Sequence, residues 1–427
     1  MANLKNKLKL SLFIVPLDVS GASTYYNELV AYISMFKHIG IYIVFTDSNE
    51  KEFKIIIKEA FNEVHIPRYF NKSDKTSPRK YYDRCAQLLY IQFSAFNNII
   101  FHFNSRLQVQ FAQAIKSLFN CKITYTIHYL SPKYSYYTYS DESNPIEEID
   151  SMGSVNIRKM IEIADKIICV TKFAADSIKK FHGVPDSMIK LIYNGKNVDY
   201  QNTTIDKNYL KEQLGFRSSE RLILYVGTLK YDKGVDSLIK AFQELLNMQP
   251  NVKLILAGHG NYELYLKLCE SILGKVIFTG QLDFKKLQEL FYIADIGVIP
   301  SHFEQCSFVA IEMMHFGLPM IVSNVPGLKE LFINNYNALL CPMKNINTHF
   351  FEPNVLLLAE EMNLLLSQPS LATKLRKNAH NTAAKFSRES MGKSTLEVYE
   401  KLYEETISFD ESHSPENQKI NSTNGNL

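Results

Sequence analysis

Short apolar runs, each followed by a longer amphipathic stretch, recur along almost the whole chain, and this alternation limits the fold more than any other feature. In the first half, apolar runs fall at Leu8–Val15, Ile41–Phe45, Ile99–Phe103, Lys122–Ile127 and Ile167–Val170. Between them, apolar residues repeat with helical spacing over Tyr25–His38, Lys80–Phe96, Leu107–Phe119 and Phe173–Phe181. The second half repeats the scheme, with runs at Leu222–Val226, Lys253–Ala257, Val276–Phe278, Ile296–Ile299 and Met320–Val322. Helical spacing covers Val235–Asn247 and Phe284–Tyr292. Runs of this kind are strands buried on both faces, and strand–helix alternation predicts parallel sheets covered by helices.

A chain of 427 residues is too long for one hydrophobic core, so two domains are expected. The polar stretch QNTTIDKN lies where no strand pattern crosses. The expected plan is an N-terminal Rossmann-like domain over 1–200, a linker over 201–219 and a second Rossmann-like domain over 220–385. A helix over 386–407 that packs back on the first domain and a disordered tail over 408–427 complete it. In doubly wound sheets, ligands bind outside the carboxyl ends of the strands, and two such domains place the expected site in the cleft they face.

Composition excludes several classes. A net charge of +3 on a chain that is 21% charged gives no large nucleic-acid footprint. None of the six cysteines stands in a CxxC pair, so neither a zinc site nor a disulfide framework is expected, which fits a reducing cytoplasm. The opening MANLKNKLKLSLFIVPLD has the basic-then-apolar look of a signal peptide, but Pro16 and Asp18 follow with no small-residue cleavage site, so it reads as a first buried strand. No apolar run is long enough to span a membrane.

Three segments carry candidate chemistry. In YVGTLKYDKG a strand ends at Gly227, Lys230 and Lys233 follow, and a helix begins near Val235. Lysine beside a helix N-terminus suits a phosphate, although a solvated surface loop would read the same way. In LILAGHGN, Gly258 and Gly260 allow a tight turn and close backbone approach. No GxGxxG follows the first strand, which excludes a nicotinamide dehydrogenase. In IPSHFEQCSFVAIEMMHFGLP, Glu304 precedes a helix and Glu312 lies inside it, while the amides near Cys306, Ser307 and Phe308 can face an anion. A carboxylate accepts two hydroxyls from one sugar face without a metal.

The ordered set VGTLKYDKG, LILAGHG, VIFTGQL, LFYIADIGVIPS, EQCSFVAIEMMHFGLPMI, VPGLKELF and NNYNALL resembles the retaining GT-B glycosyltransferases of family 4, glycosyl transferases group 1. The likeness covers Leu222 to Cys341, and the ordered series makes it specific. In the first half it is thinner, resting on VSGAS, YTIHYLSP and LIYNGKNVD. The resemblance implies an α/β GT-B fold, two Rossmann-like doubly wound parallel-sheet domains facing across a cleft.

It also implies a nucleotide-sugar donor, such as a UDP- or GDP-sugar. Lys233 would contact the diphosphate, Glu304 the hydroxyls of the transferred sugar and Glu312 the ribose. The amides of Ser307, Phe308 and Val309, beside Cys306, would complete the phosphate cradle, with Gly258 in the adjoining turn. Gly21 would let the first-domain loop approach the phosphates, and His128 would lie near the sugar and help stabilise the transition state. Many members have arginine where this chain has Thr228, so one bidentate phosphate contact is missing, and Lys230 is its candidate substitute.

No Asp-x-Asp occurs, so neither a metal nor another cofactor is expected, and Lys233 would take the place of a divalent ion. The implied reaction is metal-independent, retaining transfer of a hexose-type sugar to an acceptor hydroxyl. A sugar-nucleotide epimerase of the same fold and a non-catalytic sugar-nucleotide-binding protein are the alternatives.

The resemblance implies that the first domain, 1–200, binds the acceptor and the second, 220–385, the nucleotide sugar, with the acceptor itself unknown. EQCSFVAIEMM is similar to a bacterial subgroup associated with peptide natural-product clusters, and a surface-glycan or lipid-linked acceptor fits equally. Arg68–Arg84 holds six basic and two acidic residues with interleaved tyrosines, so it reads either as a solvated helix face or as a contact with an anionic membrane at the inner face. The tyrosines from Tyr134 to Tyr139 would form an acceptor wall or a loop.

Overall fold

The computed structural model describes residues 10–16, 20–68, 78–130, 151–198, 206–347 and 350–412. Outside them lie the tyrosine cluster 134–139, part of the basic segment, residue 19 of VSGAS, residues 201–205 of the expected linker and the end of the chain. The chain forms two compact units. One comprises Met1–Val170, Ala174–Tyr193 and Arg388–Leu427, the other Thr171–Phe173 and Asn194–Ser387.

The first unit is built on an eight-stranded sheet. In chain order its elements are β1 (Leu10–Val15), α1 (Ser20–Ile33), β2 (Ile39–Ser48), β3 (Lys54–Ile57), β4 (Asn62–Pro67), α2 (Pro78–Phe93) and β5 (Ile99–Phe103). There follow α3 (Val109–Leu118), β6 (Cys121–Ile127), α4 (Ser151–Ile163), β7 (Lys166–Cys169), α5 (Lys172–His182) and β8 (Ile189–Leu191). The strand order is β3-β4-β2-β1-β5-β6-β7-β8, parallel except for β3, which runs antiparallel to β4. β1 lies between β2 and β5, so the order of connection reverses between β1 and β5, and the loops after these two strands open on the switch point.

Every residue of β1 and β5 is buried, and all but Ser11 and His102 are apolar, which is why both read as buried strands. The pair β3–β4 carries no such run. Its sequence, KIII then NEVHIP, is held as an edge hairpin by four paired positions.

The second unit contains α6 (Lys207–Gln213), β9 (Arg221–Val226), α7 (Val235–Met248), β10 (Val252–Ala257), α8 (Tyr262–Leu268) and β11 (Val276–Gly280). It continues with α9 (Phe284–Ile293), β12 (Ile296–Ile299), α10 (Phe308–His315), β13 (Met320–Ser323), α11 (Pro326–Leu331) and β14 (Leu339–Cys341). A small hairpin, β15 (Met343–Asn347) and β16 (Phe350–Pro353), precedes α12 (Val355–Ser367) and α13 (Pro369–Ala383). The main sheet is entirely parallel in the order β11-β10-β9-β12-β13-β14. Its switch point lies between β9 and β12. The core between sheet and helices is apolar, with Leu238, Phe242, Leu254, Leu256, Val298 and Met362 fully enclosed.

Three expectations need correction. The span 201–219 does not read throughout as a linker, because α6 packs on the second unit. Lys211 is only 3% exposed, and its ammonium donates to Asp295 Oδ2 (3.0 Å) and to the Glu220 carbonyl (2.9 Å). Lys207 donates to Asp295 Oδ1 (3.0 Å). The stretch looked like a linker because its buried contacts are made by lysines. The C-terminal helix runs over Arg388–Ser412, beyond residue 407, where the tail was expected to begin. In the first unit it holds Glu28 through Arg388 Nε (2.6 Å) and sets Gly392 against the Tyr32 ring. Gly21 stands in the first turn of α1 and not in a loop after β1.

All six cysteines are buried and unpaired. Of the basic segment, Tyr81 is buried and accepts the Asp47 amide (2.9 Å), and Tyr82 stacks on Phe111. The Tyr81 ring belongs to the core, and the Tyr82 ring is partly buried against it. Among the described residues no helix is long and apolar enough to cross a membrane.

Asp295 gathers Lys207, Lys211 and the Leu222 amide (2.8 Å). Burial disfavours its charge, but these partners outweigh it and hold its carboxyl below the usual range. A depressed carboxylate stabilises the fold above the ordinary carboxylate pKa and loses that contribution as pH falls through the folded value. Asp295→Ala, which strands a buried lysine, is expected to lower stability at pH 7 by about 3–5 kcal/mol in urea denaturation. The difference from the parent should shrink towards pH 3.

Candidate active site

In the second unit, the loops after β9 and β12 meet at the switch point. After β9 the chain passes Gly227, Thr228 and Lys230 and makes a 3-10 turn over Tyr231–Lys233. It then reverses at Gly234, which is left-handed (φ 68°) and starts α7. A side chain at Gly234 would place its Cβ 1.8 Å from the Pro300 carbonyl oxygen, so only glycine lets the two loops touch here. The His302 amide donates to the Asp232 carbonyl (3.0 Å) and closes the same seam. On the other side, the Leu229 amide donates to the His259 carbonyl (2.7 Å). Gly258 lies against the Gly227 carbonyl, where a Cβ would come within 1.8 Å. The backbone around Lys233 is therefore fixed from both flanks.

This seam brings Lys233 to Glu304. The Lys233 ammonium lies 2.8 Å from Glu304 Oε2, and Ser301 Oγ donates to the same oxygen (3.2 Å). Both charged side chains are partly open to solvent, so the pair is accessible and not a sealed core contact. The next element, α10, starts at Ser307, whose hydroxyl accepts the Ala310 amide (3.3 Å). A helix leaves its first N–H groups without intrahelical partners, and the amides of Phe308 and Val309 make no bond among the described residues. Lysine, carboxylate and free amides thus share one end of the sheet.

Other expected residues sit differently. Glu312 is nearly buried on α10 and is ion-paired with Lys196, whose ammonium also lies over the Phe284 ring, 3.9 Å from its centroid. Lys196 belongs to LIYNGKNVD, and nothing in that motif's spacing marks it as the partner of Glu312. The Cys306 side chain faces inward. Its carbonyl accepts from Asn194 Nδ2 (2.6 Å), its sulfur accepts the Asn194 amide (3.3 Å), and burial pushes its thiol pKa up. Cys306 therefore shapes the loop and offers no side-chain group to a ligand. The Thr228 carbonyl accepts from Tyr225 Oη (2.8 Å) and from the Lys230 amide (3.0 Å), while the Lys230 side chain is exposed.

In the first unit, His128 follows β6. Its Nε2 lies 3.0 Å from Asn104 Oδ1, and Tyr25 meets its ring edge-on at 4.5 Å. Asn104 Nδ2 donates to the Val15 carbonyl (3.2 Å), which turns Oδ1 towards the histidine. An amide oxygen only accepts, so Nε2 carries the proton and Nδ1 holds a lone pair. Gln108 Nε2 donates to the Pro16 carbonyl (2.8 Å), and Gln108 Oε1 accepts the Asn104 amide (3.2 Å). These bonds lock the first unit's switch point between β1 and β5. Behind His128, His102 Nε2 bonds Thr126 Oγ1 (2.7 Å), Thr126 bonds Tyr25 Oη (3.2 Å), and His102 Nδ1 bonds Tyr399 of the C-terminal helix. Burial pulls both His102 and His128 down to about 3. Asn104, directly after an apolar run, was the one sequence signal that could have flagged this network.

Comparison with known proteins adds the family. The family of glycosyl transferases group 1 matches residues 206–382, and glycosyltransferase family 4 matches residues 19–200. The chain belongs to glycosyltransferase family 4. An uncharacterized glycosyltransferase of Methanocaldococcus jannaschii, MJ1607, is 30% identical over 268 residues, which are 61% of this chain and 64% of that protein. A glycogen synthase of Mycobacterium tuberculosis is 30% identical over 187 residues, 43% of each chain. The matches therefore span less than two thirds of these relatives' own length.

Among solved structures, sucrose-phosphate synthase from Thermosynechococcus elongatus superposes with a TM-score of 0.75 at 21% identity, covering 92% of this chain and 99% of that one. Anabaena HepE, solved in complex with UDP, gives 0.69 at 17%, covering 92% and 100%. These likenesses establish the GT-B fold. The family match also extends over the first half, where the motifs alone were thin.

Two outcomes test this geometry. Gly234→Ala is expected to lower stability by at least about 2 kcal/mol in chemical denaturation, because it combines a left-handed φ with backbone overlap. Histidines buried in the neutral form make the unfolded chain the better proton acceptor below about pH 6.5. Stability should therefore fall as pH drops from 6.5 towards 3, and the His128 ring resonances should show no titration between pH 5 and 8.

Proposed function

We propose that this family 4 member is a metal-independent, retaining glycosyltransferase that moves a hexose-type sugar from a nucleoside-diphosphate sugar to an acceptor hydroxyl. The observation that carries the reading is the Lys233–Glu304 pair beside the free amides of α10, at the switch point of a doubly wound sheet. The solved structures of HepE with UDP and with UDP-glucose favour a uridine or related diphosphate donor.

The hard step breaks the bond between the anomeric carbon and the diphosphate oxygen. Positive charge grows on the sugar ring and negative charge on the departing diphosphate. Lys233, the exposed Lys230 and the Phe308 and Val309 amides meet that negative charge, and their positions are set before the reaction starts. Glu304 holds one oxygen on Lys233 and accepts sugar hydroxyls on its remaining lone pairs. Glu312, ion-paired with Lys196, takes the ribose diol. The acceptor oxygen bonds to the anomeric carbon on the face the diphosphate leaves, and the acceptor proton departs with the diphosphate. His128, neutral and presenting Nδ1, accepts a hydroxyl and supplies no proton.

Isothermal calorimetry with UDP and GDP, then product analysis with the matching sugar donors, tests the reading. Lys233→Ala should weaken nucleoside-diphosphate binding about tenfold or more, the loss of a charge-assisted contact. Glu304→Gln should spare nucleotide binding and remove transfer. Activity should persist in EDTA, and the product's anomeric coupling constant should match the donor's. Unchanged affinity in Lys233→Ala, or a strict metal requirement, would overturn the proposal.

A further inference from the structure

In the donor reading Glu312 takes the ribose, but its carboxylate does not stand alone. Glu312 Oε1 is ion-paired with the Lys196 ammonium, and the same ammonium lies over the face of the Phe284 ring, 3.9 Å from its centroid. The Lys196 side chain is 13% exposed and that of Glu312 8%, so both charges are largely withdrawn from water. The backbone that carries Lys196 is fixed. Two residues earlier, Asn194 Nδ2 donates to the Cys306 carbonyl (2.6 Å), and the Lys196 amide donates to the Phe386 carbonyl (3.0 Å). Phe284 opens α9, whose N-cap Asp283 accepts the Lys286 amide (2.9 Å). Separate segments of the second unit thus meet on one ammonium.

A nucleoside entering here meets either the carboxylate by itself, after Lys196 has moved away, or the intact pair. Moving the ammonium away strips a nearly buried carboxylate of its counter-charge, which is about as unfavourable as two hydroxyl bonds to it are favourable. The move also gives up the cation–π contact with Phe284, so the exchange is uphill. The intact pair is therefore the surface that the ribose meets. A carboxylate only accepts, whereas an ammonium only donates and carries three N–H groups. Glu312 takes one of these, and a ring face draws the cation without binding one N–H at a fixed point. Each ribose hydroxyl can both donate and accept. A vicinal diol therefore fits the pair with one hydroxyl donating to Glu312 and its neighbour accepting from Lys196.

We propose that Lys196 is a ribose-binding residue of the donor site: one hydroxyl of the diol donates to the Glu312 carboxylate, and the other accepts from the Lys196 ammonium. The inference rests on the reading of Glu312 as the ribose carboxylate. Each hydroxyl is then held by a different residue, so losing Lys196 silences one hydroxyl and not both.

Calorimetry on the full chain takes the tighter binder of UDP and GDP, its 2′-deoxy and 3′-deoxy analogues, and inorganic pyrophosphate. In the parent, each deoxy analogue should bind about tenfold more weakly than the ribonucleotide, the loss of one charge-assisted contact. In Lys196→Met the ribonucleotide should weaken about tenfold, one analogue should bind within about twofold of it, and the other should keep its penalty. Lys196→Arg, which retains a charged donor, should keep both penalties. Pyrophosphate affinity should be the same in all three proteins. If Lys196→Met does not fold, Lys196→Gln, with N–H donors but no charge, should cut that one penalty from about tenfold to about threefold. Both penalties persisting unchanged in these variants, both vanishing together, or pyrophosphate weakening in step with the nucleotide would overturn the proposal and leave the donor reading in place. No nucleotide binding by the parent, or equal binding of the ribonucleotide and both analogues, would instead remove the ribose from Glu312, so the two failures are distinct.

Discussion

The second unit depends on one close approach, the contact between the Gly234 backbone and the Pro300 carbonyl. It joins the ends of two strands that are neighbours in the sheet, through residues that lie 66 positions apart in sequence. With the loops pressed together, Lys233 and Glu304 have little freedom to be anywhere but opposite each other. The ion pair is a consequence of the seam. A partly exposed pair contributes little to stability by itself.

The first unit solves the same topological problem differently. Its switch point is bridged by amide side chains, Asn104 and Gln108, that reach the carbonyls of Val15 and Pro16. This orients His128 without charge. The result is a neutral site, with buried His102 and partly buried His128 both unprotonated. The second unit presents the opposite chemistry, cationic and donor-rich.

Buried parallel strands were readable because apolar residues dominate them, and each main-sheet run from Leu222 to Val322 became a strand. Elements without such a run were not readable. β3 is a half-exposed edge strand and β4 beside it is only half buried, while α6 buries Lys211, which any composition argument assigns to solvent. Boundaries shifted for local reasons, as where a 3-10 turn over Arg106–Gln108 takes the first residues of the expected helix at Leu107. In the site, Lys233, Glu304 and Ser307 were legible because motif order fixed their loops. Lys196 was not, because its partner Glu312 lies 116 positions away and no local pattern couples them.

The sequence by itself determined the two doubly wound halves, the family, and the loops that carry lysine, glutamate and histidine, because periodicity and ordered motifs are local properties. Only the tertiary structure decided the pairings: Lys233 with Glu304, Glu312 with Lys196, His128 with Asn104. Those pairings also set the tautomer of His128 and the inward turn of Cys306. The physical reason is that hydrogen bonds and ion pairs act over about three ångströms. Which groups come that close depends on how distant segments of chain are packed.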